Sequence, residues 1–163
     1  MSTFDLREPD RFTAGAVGEP GARVFFLQAV EGTQVVSLRL EKQQVGALGL
    51  YLQGVLNDLP VVPETERPAA MDLVEPVVAE WVVGTLGVAY DTESDRIVLQ
   101  ADELVDEDEE DGSLARFHLT RAQVVAFCEL AETLVAAGRP PCPICGQPMD
   151  PDGHVCPRSN GHK

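Results

Sequence analysis

The sequence predicts an α+β fold made of a duplicated antiparallel β-meander plus long helix unit. Three observations lead there. Two segments 79 positions apart read alike, turn signals punctuate β-rich runs at corresponding places in both halves, and one amphipathic stripe closes each half.

The first apolar runs are RFTAGAVG from Arg11 and WVVGTLGVAY from Trp81, each ending at a turn signal, Gly18-Glu-Pro-Gly21 or Asp91-Thr-Glu-Ser-Asp95. Beyond the turns, RVFFLQAV from Arg23 aligns with RIVLQADEL from Arg96, and both are rich in strand-forming residues. The clearest match follows. VSLRLEKQQVGALGLYLQGVL from Val36 and ARFHLTRAQVVAFCELAETLV from Ala115 each read as a strand feeding directly into a helix. The first stripe is Val45, Leu48, Leu52, Val55 and Leu56, the spacing of a single helical face. Val124, Phe127, Ala131, Leu134 and Val135 repeat it 79 residues later. Thr120-Arg-Ala-Gln123 is a capping box, and Glu41-x-x-Gln44 stands at the equivalent place.

Between the halves, LPVVPETERPAAMD from Leu59 carries Pro60, Pro63 and Pro68 and is expected to be extended. The expected organisation is an α+β domain over residues 1–138, with halves at about 1–58 and 74–138 and a proline-rich connector at 59–73. A tail follows at 139–163. The halves are expected to form one fold, since about 60 residues alone would make a marginal core. The architecture is then two mainly antiparallel sheets, or one continuous sheet, with the helices packed together or on a shared face.

Apolar residues at 44% and charged residues at 24% mark a chain that folds. It has no run of eighteen apolar residues, and MSTFDLREPD lacks the basic and apolar regions of a signal peptide, so a cytoplasmic protein is expected. Cysteines in a reducing compartment read as metal ligands or core thiols before disulfides. The net charge of −15 opposes the phosphate contacts that dominate nucleic-acid binding. Eight of the acids lie at 102–112, in a stretch that reads as a solvated loop or as a docking site for a basic partner. The stretch lacks the register of a calcium loop.

The chain closes on CPICGQPMDPDGHVCPRSNGHK, which holds three of the four cysteines and two of the three histidines. Cys142-Pro-Ile-Cys145-Gly has the spacing of a zinc-knuckle half, and Pro143 with Pro148 argues against the helix that a redox pair opens. In His154-Val-Cys156 two ligands two residues apart project to one side of an extended segment. Cys142, Cys145, His154 and Cys156 therefore make a Cys3His set closed by an eight-residue loop, and one structural Zn2+ per chain is expected. His162 competes with His154 but is the penultimate residue. The alternating strand pattern turns His118 toward solvent or a partner, and Cys128 beside Phe127 reads as a core thiol.

The chain resembles an uncharacterised actinobacterial family over nearly all its length, through LEKQQV and LTRAQV and most specifically the ending CPxCG…GHxCPR…NG. That family is associated with ParJ, a protein linked to the chromosome-segregation ATPase ParA. The resemblance implies regulation of a partner's assembly and offers no catalytic residues. The repeated meander-plus-helix units are also similar to PUR and Whirly-type single-strand-binding modules, but nine aromatics and strong negative charge do not suit base stacking. A non-enzymatic adaptor or regulator of a protein partner is the leading expectation. A nucleic-acid-associated protein is the alternative. An enzyme comes third, since the chain has no phosphate loop, no nucleophile elbow and no open metal site.

Overall fold

A computed structural model describes residues 3–19, 21–60, 71–108 and 112–136. The elements run β1 (Thr3–Leu6), β2 (Arg11–Val17), β3 (Val24–Glu31), β4 (Gln34–Leu40), α1 (Lys42–Asp58), β5 (Val83–Asp91), β6 (Arg96–Glu103), β7 (Leu114–Leu119) and α2 (Arg121–Ala136). They form two sheets, β2-β3-β4 and β1-β7-β6-β5, with the two helices packed on one another and α2 against β2.

Period-two alternation decides which face of each strand is buried. Phe25, Leu27 and Ala29 of β3 point into the core, as do Ile97, Leu99 and Ala101 of β6. These triplets are equivalent: Phe25 lies opposite Leu40, and Ile97 lies opposite Leu119. Both sheets and both helices contribute to one apolar cluster. At its centre the Phe12 ring lies 4.9 Å from Phe127 and 5.7 Å from Phe117, tying β2 to α2 and β7. Each such side chain contributes about 1.5–3 kcal/mol through burial.

The helices begin as their sequences dictate. The Gln123 N–H donates to Thr120 Oγ1 at 3.1 Å, and the Thr120 N–H donates to Gln123 Oε1 at 3.0 Å. Glu41 and Gln44 form the matching box. The second arm of each glutamine ties its helix to a chain crossover. Gln123 Nε2 donates to Pro9 O at 2.7 Å, and Gln44 Nε2 donates to Val83 O and Gly84 O at 3.3 Å. The helices touch closely because α1 presents a glycine: a Cβ on Gly49 would stand 3.0 Å from that of Ala131. Cys128 Sγ donates to Gly49 O at 3.4 Å, so this thiol belongs to the core as its neighbours predict.

One feature departs from a simple tandem of halves. β1 opens the first half but pairs with β7 of the second, in parallel, Phe4 opposite Ala115. Residues 80–82 open the second half but pair with β4 of the first, also in parallel through Arg39 and Val82. Leu6 and Trp81 occupy corresponding buried positions at these crossings. Each half thus lends its leading segment to the other's sheet, which makes the two halves one fold. β1 is four residues long with a single buried side chain, too little pattern for a strand to be read from sequence.

Candidate contact surfaces on the two sheets

The four expected zinc ligands, Cys142, Cys145, His154 and Cys156, lie outside the described residues, as does His162. Among the described residues, no three His, Cys, Asp or Glu side chains gather closely enough to hold a metal ion. No helix among them is long and apolar enough to cross a membrane. The chemistry that the structure displays lies on the outer faces of the sheets.

On the first sheet, the outward row Thr13, Gln28 and Ser37 is buried, although all three residues are polar. The end of the connector covers it. Gln28 Oε1 accepts from the Val74 N–H at 2.7 Å, while Gln28 Nε2 donates to Val74 O and Ser37 Oγ, both at 3.0 Å. Thr13 Oγ1 donates to Met71 O at 2.6 Å, and Arg11 Nη1 donates to Asp72 O at 2.7 Å. Leu73 lies over Gly15, where a Cβ would meet its side chain at 2.6 Å. The sheet therefore holds a crossing segment through that segment's backbone and a notch for one apolar side chain. Buried polar groups need partners, and here a strap of backbone supplies them.

The second sheet presents the equivalent row as Gly87, Gln100 and Arg116, in the same cross-strand order. Among the described residues no strap lies on it. Gly87 and Arg116 are exposed, and a depression of about 390 Å³ runs over Thr85, Gly87, Ala89, Val98, Gln100, Asp102 and Arg116. Its side chains bond to one another. Arg116 Nε donates to Gln100 Oε1 at 3.0 Å, Gln100 Nε2 to Asp102 Oδ1 at 3.1 Å, and Thr85 Oγ1 to Asp102 Oδ2 at 3.1 Å.

His118 sits on this face, as the alternation predicts, and its Nε2 lies 2.7 Å from Asp5 Oδ1 of β1. The Asp5 contact ties β1 to β7. At the sheet's far end Arg121 bonds to Asp95 through Nε at 3.0 Å and Nη2 at 2.9 Å, and the Tyr90 hydroxyl donates to Asp95 at 2.6 Å. The Tyr90 hydroxyl first, and then Arg121, hold the Asp95 carboxyl below its ordinary pKa. Burial, with Glu129 adding to it, pushes the Cys128 thiol up to about 11.

The acidic stretch connects β6 to β7, and its base is fastened: the Ser113 N–H donates to Glu103 Oε1 at 2.9 Å, and the Glu103 N–H donates to Ser113 O at 2.8 Å. Residues 109–111 lie outside the described residues.

Neither sheet face was singled out from the sequence. The signal was nevertheless present, since Leu27-Gln28-Ala29 and Leu99-Gln100-Ala101 place a glutamine at the same point of two apolar runs. No curated protein and no solved structure matches the chain. A family model described as a protein of unknown function, DUF3090, matches residues 4–156, which takes in all four expected zinc ligands and stops short of His162. The chain belongs to the DUF3090 family.

Proposed function

We propose that this protein is a non-enzymatic adaptor or regulator that binds an extended segment of a protein partner on the open face of its second sheet. One observation carries this reading: the equivalent face of the first sheet already holds a segment of chain by its backbone, through Gln28, Thr13 and Arg11. Contacts of side chains with a peptide's backbone give affinity without demanding sequence, and a small-residue notch adds selectivity. On the open face Gln100 stands where Gln28 does, and Ala89 stands where Gly15 does. Arg116 and His118 are interleaved there with Asp5 and Asp102, so the face lacks the uniform positive field that nucleic acid requires.

A structural zinc held by Cys142, Cys145, His154 and Cys156 fits this reading. A tail so poor in apolar residues has little else to order it, and four protein ligands leave no open position for catalysis. The acidic stretch is a second contact surface. A ParA-type segregation ATPase is the first partner to test.

The experiment compares capture by the full-length protein, by Gly87→Trp and by the Cys142→Ser, Cys145→Ser double variant. Nothing lies within 4 Å of a Cβ at Gly87, so the indole blocks the face without entering the core. A partner retained by the wild type and lost from Gly87→Trp is expected. Identical partner sets from all three proteins would remove both surfaces from the function. Native mass spectrometry should find one zinc per chain, and zero zinc with Cys142, Cys145 and Cys156 freely titratable refutes the site.

A further inference from the structure

We infer that in the resting protein the open face of the second sheet is covered by the chain's own C-terminal tail, through the stretch Asp150-Pro-Asp-Gly153. The inference rests on the reading of that face as a peptide-binding surface, and it names the occupant that a partner must displace.

The first half sets an order of parts: strands, then a helix, then a segment that returns over the outer face of the same sheet. After α1 ends at Asp58, the chain reaches the strap at Met71 and is bonded to Gln28 at Val74. α2 ends at Ala136, and 27 residues follow it. The 79-residue offset that relates β4 to β7 and α1 to α2 carries Met71–Val74 onto Asp150–Gly153. Ten residues remain beyond that point, so length does not limit the docking.

The two faces differ locally in charge. Arg116 stands where the strapped face has Ser37, while His118 takes the place of Arg39 and Asp102 that of Val30, so the attraction for a carboxylate is centred on Arg116. The strap runs Met-Asp-Leu-Val, while the tail runs Asp-Pro-Asp-Gly and brings two carboxylates toward Arg116. The backbone recognition is conserved in kind. Gln100 presents an amide donor and an acceptor at the place where Gln28 engages both polar groups of Val74. Its present partners, Arg116 and Asp102, are the ones a docking peptide would exchange.

The test places p-benzoylphenylalanine at Gly87 of the full-length protein, with a control probe at the exposed Val17 of β2. Irradiation of mixed light and heavy chains, followed by digestion and mass spectrometry, identifies what each probe touches. The expected result is an intrachain link from position 87 to a peptide within 137–163, absent from the Val17 control. Asp150→Lys with Asp152→Lys should lower that yield several-fold while circular dichroism stays unchanged. No link to 137–163, a link between two chains, a link to a co-purified partner alone, or an unchanged yield from the lysine variant each overturns the inference. A partner lost from Gly87→Trp without any tail link leaves the proposed function standing and removes only the tail.

Discussion

Gln28→Ala tests whether the strap is held by side-chain recognition or merely lies in place. The glutamine is fully buried and makes three bonds, two to the backbone of Val74 and one to Ser37. Alanine leaves the Val74 N–H and C=O without those partners, together with a void where the amide stood. An orphaned buried polar group costs about 1–3 kcal/mol, and water reaches part of the half-buried Val74 backbone. A loss of about 2–3 kcal/mol is therefore expected, lowering Tm by roughly 4–12 °C. Urea unfolding followed by fluorescence measures it, since Trp81 is the single tryptophan and is buried where residues 80–82 join β4. Hydrogen exchange localises it: the Val74 amide should lose protection while amides of β6 in the other sheet keep theirs. A stability change below about 0.5 kcal/mol, or an unchanged Val74 amide, would refute the idea that Gln28 fastens the strap.

Two further outcomes follow from the charged and thiol groups. With its pKa raised to about 11 by burial, Cys128 should resist alkylation in the folded protein at pH 8 and react only on unfolding. Because that folded value lies above the unfolded one, the thiol's contribution to stability is complete below the unfolded pKa and is lost as pH rises through about 11. Rapid labelling at pH 8 in native buffer would contradict the packing of α2 on α1. Asp95 titrates in the opposite sense: its folded pKa is lowered, so its contribution is present above the ordinary carboxylate value and is lost as pH falls through the folded value. The stability gap between wild type and Asp95→Asn should therefore be small at pH 7, as suits an exposed pair, and should close in acid. A gap that widens on acidification would show that the Tyr90 and Arg121 contacts do not stabilise the charged form.

Helices and inner strand faces were legible because both follow a period. The stripes at Val45, Leu48 and Leu52 and at Val124, Phe127 and Ala131 are buried where the spacing puts them. The repeat was clear over β4-α1 and β7-α2 but faint upstream, and the reason is the acidic stretch. It lengthens the β6–β7 connection relative to the β3–β4 turn, so the offset between β3 and β6 falls to 72 while that between the helices is 79. What the sequence concealed is non-local. Nothing in Thr3–Leu6 shows that it pairs with residues more than a hundred positions away, and nothing in Met-Asp-Leu-Val shows that its backbone satisfies Gln28. A glutamine inside an apolar run looks like a flaw until its partner is in view. The open face on the second sheet became recognisable only once the strapped face gave it something to be compared with.

The exchange of leading segments fixes when this protein can finish folding. β1 leaves the ribosome long before its partner β7, which begins at Leu114, so the strand must wait through the synthesis of more than a hundred residues. Closing so long a loop carries an entropic cost that no local contact offsets early, and pairings of this separation slow the search. The first sheet likewise stays one segment short until residues 80–82 arrive. Neither half completes its sheet alone, so a chain halted between them has unpaired edges on offer to its neighbours.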